Sequence, residues 1–189
     1  MRIIAGDLKG VSLHMPKSKD TRPLKDMARE SIFNLLTHSK KILPRLEQSN
    51  ILDLYAGTGS FGLECLSRRA KSIFFVENKK DAIEILKKNI EKLRSKKKTK
   101  IFINDVFKII ESQNFYKFKF EFIFCDPPFK DTNINQLIGL IFSKNLLDKN
   151  GIIILHRNKN TKDELPNFFE IIDERVYGLS KVIFGKFLS

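Results

Sequence analysis

Ile51–Gly62 reads ILDLYAGTGSFG. Ile51 to Tyr55 is a short apolar run interrupted by one acid, Asp53. Gly57, Gly59 and Gly62 follow in G-x-G-x-x-G spacing, and Ser60 opens a stretch to Arg69 with helical patterning. A strand that enters a glycine turn and leaves as a helix is the context this motif requires. It predicts the first strand and helix of a parallel α/β sheet. The downstream chain repeats that alternation. Apolar runs fall at residues 72–76, 100–103, 120–125 and 151–155. Helical patterns lie between them at 79–93, after Asp105, and at 134–142. Near-continuous apolar runs separated by amphipathic helices mean a parallel sheet covered on both faces. The last two β-like segments, 168–176 and 181–188, stand too close for a helical crossover and must pair antiparallel. Upstream, residues 2–14 read as a hairpin around Gly6 and Gly10, a basic loop follows, and residues 26–38 carry a helical stripe. The expected fold is α/β: a doubly wound, Rossmann-like sheet with a C-terminal antiparallel hairpin, plus a small N-terminal β-hairpin/helix extension. The extension is assigned to residues 1–40 and the sheet domain to 41–189.

Open α/β sheets bind ligands beyond the carboxyl ends of their strands. Four successive strands here end at or beside an acid: Asp53, Glu77, Asp105 and Asp126. Glu77 follows Gly59 by 18 residues and suits the two hydroxyls of a ribose. The loop alone admits two nucleoside ligands, a dinucleotide or S-adenosylmethionine. Asp53 favours the second, since a carboxylate before the turn repels a pyrophosphate and suits an ammonium and a sulfonium. Asp105 adds an acceptor for an adenine amino group. The expected donor-binding set is Asp53, Tyr55, Ala56, Gly57, Gly59, Glu77, Asn78, Asp105, Val106 and Asp126.

The fourth strand ends in FIFCDPPFK, Phe122 to Lys130. Proline has no N–H and fixes φ, so Pro127 and Pro128 stop the ladder and stiffen the turn. A rigid turn aims its groups. Methylating the exocyclic amine of a base needs acceptors for its two N–H groups, because the nitrogen lone pair is delocalised into the ring. Asp126 and the Pro127 carbonyl are such acceptors, and Phe129 offers a stacking face worth roughly 1–3 kcal/mol. Asp126, Pro127, Pro128 and Phe129 are the expected catalytic group, and their substrate must be unpaired or flipped.

Thirty-five Lys and Arg against 22 Asp and Glu give a net charge of +13, a field that favours nucleic acid. Lys9, Arg22, Lys25 and Arg29, with Lys17 and Lys19, place part of that charge on the extension, where phosphate contacts would supply affinity and register. Two cysteines inside apolar segments read as reduced core thiols. Three scattered histidines make no metal cluster, no apolar run is long enough to span a bilayer, and the N-terminus lacks a signal-peptide pattern. A cytoplasmic protein is expected.

MRIIAGDLKG, TRPLKDMARESIFNLL, LDLYAGTGSFGLECLSRRA, FVE and FIFCDPPF, in this order and spacing, resemble the bacterial RsmD-type 16S rRNA (guanine-N2)-methyltransferases over residues 1 to about 155. The resemblance implies S-adenosylmethionine as cofactor, one guanine of 16S rRNA within the small ribosomal subunit as substrate, and a monomer without metal. It puts Gly57, Gly59 and Glu77 at the donor and Asp126 to Phe129 at the guanine. It also brings the segment around Arg22 and Arg29 near the methionine end of the donor. After the fifth strand the family often carries an acid, where this chain reads ILHRNK with His156 and Arg157. Two other functions share these motifs. A DNA adenine-N6 methyltransferase would use the same four residues but needs a target-recognition insertion, and none is evident. A dinucleotide-dependent oxidoreductase would use the glycine loop but has no candidate acid/base for hydride transfer.

Overall fold

The computed structural model describes residues 1–16, 26–113 and 115–188. Seven strands form one sheet. At its centre β1 (Asn50–Leu54) lies parallel between β2 (Ser72–Glu77) and β4 (Phe120–Cys125). Outward from β2 lies β3 (Thr99–Ile103), and outward from β4 lies β5 (Leu147–Asn158), both parallel. The C-terminal hairpin, β6 (Phe169–Tyr177) and β7 (Ser180–Phe187), joins antiparallel through β7, giving the order β3-β2-β1-β4-β5-β7-β6. The order reverses between β1 and β4, so a switch point opens above their carboxyl ends.

Side chains alternate across each strand, and the helices divide accordingly. On one face α1 (Asp26–His38), α2 (Ser60–Ser67) and α3 (Lys80–Lys92) cover Ile51, Ile73, Phe75, Phe122 and Ile154. On the other, α4 (Val106–Glu111) and α5 (Ile134–Ser143) cover Leu52, Leu54, Ile123, Ile153 and Leu155. Phenylalanine fills much of this space in a chain without tryptophan. Phe61 of α2 stacks on Phe124 of β4 at 4.0 Å between centroids and on Phe33 of α1 at 5.2 Å. Such pairs contribute about 0.5–1.5 kcal/mol beyond their buried area.

The sequence-derived elements stand within a residue or two of these bounds, except at β5. That strand begins at Leu147, which pairs with Phe120 across a register shift, and not at Gly151. The polar Asp148-Lys149-Asn150 segment breaks the apolar pattern without ending the strand.

The N-terminal hairpin is held by one bridge, Arg2 to Ser12, and by backbone bonds such as Ile3 N–H to Val11 O at 2.9 Å. Buried polar residues of the sheet domain fasten it down. The Glu64 carboxylate of α2 accepts from the Ile4 and Ala5 amides at 2.7 and 3.0 Å. The Ser67 hydroxyl accepts from the Leu8 amide and donates to the Ala5 carbonyl. Ile3, Leu13 and Phe33 share one apolar cluster with Ile51 and Phe61, so extension and sheet bury a common core.

Candidate active site

Parallel register places the chemistry. β4 and β5 pair through Cys125 and Leu155, so the next residues, Asp126 just past the end of β4 and His156 still within β5, stand side by side. Their side chains point to the face that carries α2. His156 Nδ1 lies 2.7 Å from Asp126 Oδ1. An ionised carboxylate only accepts, so against it Nδ1 is the donor. Nε2 is buried without a partner among the described residues. A buried unmet polar atom costs about 1–3 kcal/mol.

One residue further, Arg157 points the other way and is fully buried. Its guanidinium meets Asp163 through both Nε and Nη2, at 2.9 and 2.8 Å, a charge-assisted fork. The same group donates to the Pro128 carbonyl at 3.4 Å and the Asp131 carbonyl at 2.6 Å. The Asp131 amide closes a turn on the Pro128 carbonyl at 2.8 Å. The Asp126–Phe129 turn is thus stiffened by its prolines and clamped by a buried cation.

These groups form one wall of a cavity of about 790 Å³. Asp126, Pro127, Pro128, Phe129 and His156 stand on that side. Tyr55, Ala56, Gly57, Glu77 and Asn78 line the same cavity, with Asp105 and Phe107 near the end of β3. That size falls in the range of small-molecule ligand sites. Gly57 has φ +55°, and a Cβ built on it meets nothing within 4 Å among the described residues, so its bare Cα borders open space where a ligand can approach the backbone. Tyr55 enters the turn with φ +59°. A non-glycine residue in that region is strained, and such strain gathers at ligand sites.

The acids divide into two kinds. Glu77 stays on the wall, its Oε2 accepting from the Gly57 amide at 2.7 Å and its Oε1 from the Asn78 and Lys79 amides at 2.9 and 2.8 Å. It ties the glycine loop to β2. Asp105 caps α4 through Oδ1, to the Phe107 and Lys108 amides, and its Oδ2 has no hydrogen-bond partner among the described residues. Asp53 behaves differently from expectation. It is buried away from the cavity, and its Oδ2 accepts from the Gly62 amide in the first turn of α2 at 3.0 Å. Burial pushes its carboxyl well above the usual carboxylate range, against the Gly62 bond that lowers it. Asp53 fixes strand to helix and does not present its charge to a ligand.

Two further expected donor contacts leave the wall. Gly59, with φ +81°, places the loop against α3, where a Cβ would come within 2.4 Å of Leu86 Cδ1. Val106 is buried against the α4–α5 face. Among the basic residues, Lys9 is exposed on the hairpin. Arg29 is fully buried and donates to the Arg2 carbonyl at 2.7 Å, so it anchors the N-terminal strand and offers RNA no surface. Arg22, Lys25, Lys17 and Lys19 lie outside the described residues.

The structure adds residues that the sequence reading passed over. Asn89, buried on α3, donates to the Thr58 carbonyl at 3.0 Å and pairs with the His14 backbone through its amide acceptor at 2.7 Å and donor at 3.2 Å. It joins the glycine loop to the N-terminal segment, and Met15 reaches the cavity wall beside it. A polar residue in phase with Leu86, Ile90 and Leu93 was the available signal. Both cysteines are free and buried, and burial pushes their thiols up. Among the described residues no helix is long and apolar enough to cross a membrane.

A family model described as "Conserved hypothetical protein 95" matches residues 1–186. The small-subunit rRNA methyltransferase D of Haemophilus influenzae is 33% identical over 95% of this chain and 90% of its own length. YlbH of Bacillus subtilis, named as an rRNA methyltransferase, is 32% identical over 98% of both chains. Among solved structures, the H. influenzae protein HI0767, described as a methylase, aligns with TM-score 0.77 at 30% identity, covering 100% of this chain and 98% of its own. The Escherichia coli protein yhhF aligns with TM-score 0.85 at 24% identity, with the same coverage, and at that identity supports the fold alone.

Proposed function

We propose a reaction for a chain that belongs to the Conserved hypothetical protein 95 family, the family of the RsmD rRNA methyltransferases. The protein transfers a methyl group from S-adenosylmethionine to the exocyclic N2 of a guanine in 16S rRNA of the small ribosomal subunit. One observation carries this reading: the glycine loop with Glu77 and the Asp126–Phe129 turn line a single cavity.

The residues present fit the donor. Gly57, with open space beside its Cα, would let the donor approach the backbone, Glu77 would hold the ribose, and Asp105 would accept from the adenine amino group. When bound, S-adenosylmethionine supplies a methyl group on a cationic sulfur with a neutral thioether as leaving group. The chain's own work is on the other reactant. Asp126 Oδ2 and the Pro127 carbonyl accept hydrogen bonds from the two N–H groups of the amine, fix its orientation, and add electron density to a weak nucleophile. Phe129 fixes the plane of the base. The proton released by the methylated amine is taken up at Asp126 or by water. The net positive charge serves the RNA, through phosphate contacts that set affinity and register.

The test is incubation of small subunits from a strain lacking the enzyme with labelled methyl donor, followed by nucleoside mapping. Label in N2-methylguanosine is expected. Label in an adenosine or cytidine derivative overturns the guanine assignment.

A further inference from the structure

We propose that His156 is a positioning residue that fixes the rotation of the Asp126 carboxylate, so that Oδ2 and the Pro127 carbonyl present the two acceptors the target amine needs. This rests on the methyl-transfer reading above and adds a residue to it.

Asp126 needs such a partner. Its side chain is 27% exposed, and the terminal torsion of an aspartate is broad and roughly two-fold. Its backbone is held by the strand end, but among the described residues its carboxylate has one hydrogen-bond partner, His156 Nδ1 at 2.7 Å. That bond engages Oδ1 and leaves Oδ2 open to a substrate. The imidazole in turn is fixed. It is 4% exposed, sits in β5 between the paired Leu155 and the clamped Arg157, and meets Phe129 edge-on at 5.7 Å between centroids. One ring thus borders both the acceptor and the stacking face.

Stability alone does not account for a histidine here. Nε2 is buried and unpartnered among the described residues, so a phenylalanine or leucine of similar size would bury no unmet polar atom of its own, while the partly exposed Asp126 carboxylate could turn to water. The imidazole contributes what those lack, a donor aimed at Asp126. Locally broken rules of this kind are expected at functional sites.

The experiment compares wild type with His156→Phe, which keeps ring volume, with His156→Ala, and with His156→Asn, whose side-chain amide reproduces the Nδ1–H donor. Steady-state methyl transfer to small subunits is measured beside S-adenosylhomocysteine binding by calorimetry. The expected result is a roughly 10- to 100-fold lower kcat for the Phe and Ala variants. Donor Kd should stay within about twofold and KM for the subunit should change little, while Asn recovers most of the kcat. A merely structural role would not distinguish Asn from Phe. Wild-type kcat in the Phe or Ala variant, or equal loss in Asn, Phe and Ala, overturns the inference. Failure of the methyl-transfer reading is separate: wild type itself would then form no N2-methylguanosine.

Discussion

Replacing Arg157 with methionine tests how the Asp126–Phe129 turn is held. The substitution keeps most of the aliphatic volume and removes the guanidinium. Arg157 is fully buried, and its partner Asp163 has a side chain only 5% exposed. The change therefore leaves a carboxylate with no counter-charge in a nearly dry site, which typically costs about 3–5 kcal/mol. It also frees the Pro128 and Asp131 carbonyls, but Pro128 is exposed and water can replace part of that loss. For a chain of this size the expected fall in Tm is about 6–20 °C. Asp163→Leu in the same molecule removes the stranded charge, and the double variant should recover most of the stability. It should not recover methyl transfer, because the clamp on the turn is still missing. Thermal unfolding of the two single variants and the double variant, with transfer rates on each, forms a cycle that separates the two effects. A single variant destabilised by less than about 1 kcal/mol, or a double variant with wild-type transfer, would refute the reasoning.

Four further substitutions probe the site and its supports. Gly57→Ala should cost only the strain of its left-handed backbone, about 1–2 kcal/mol, yet weaken S-adenosylhomocysteine binding tenfold or more. Gly62→Ala should do the reverse, since its Cβ would lie 2.5 Å from Phe75 and 2.6 Å from Ile73; calorimetry and urea unfolding on both tell the roles apart. Glu64→Leu leaves the Ile4 and Ala5 amides without their acceptor and should cost about 3 kcal/mol. Hydrogen exchange should then speed up across residues 3–13, and unchanged protection there would count against the docking role. Asp53 gives a pH test. Its carboxyl is raised by burial, so the folded state retains a proton that the unfolded chain releases above about pH 4. Stability is lost as pH rises from there toward the raised value. Asp53→Asn keeps an acceptor for the Gly62 amide and removes that slope. Unfolding in urea at about pH 5 and about pH 8 should show the variant gaining on wild type at the higher pH, and a pH-independent difference would contradict the assignment.

The sheet was legible because its strands are buried on both faces. Runs such as SIFFV and FIFC admit few other readings between amphipathic helices. The cavity was legible because parallel strands end together, and Glu77, Asp105 and Asp126 all reach it. Direction was less legible. Asp53 precedes the glycine turn in sequence, but strand alternation points it under α2, so its place in the motif does not give its place in the site. Arg29 looked like part of a basic surface, although its helix turns it inward. The polar residues Asp148 to Asn150 hid the start of β5, because a strand needs backbone pairing, not hydrophobicity. His156 and Arg157 stood out as a departure from the family pattern, but their partners in and beside the Asp126–Phe129 turn sit 26 to 30 positions earlier. Only the β4–β5 register brings them together.

The central claim is that Asp126 holds the target amine across the cavity from the donor. It is tested most directly by single-turnover methyl transfer with Asp126→Ala, measured beside S-adenosylhomocysteine affinity. Loss of one preorganised acceptor predicts a rate lower by on the order of 100-fold or more, with donor affinity close to wild type. Transfer at the wild-type rate in that variant would contradict the claim.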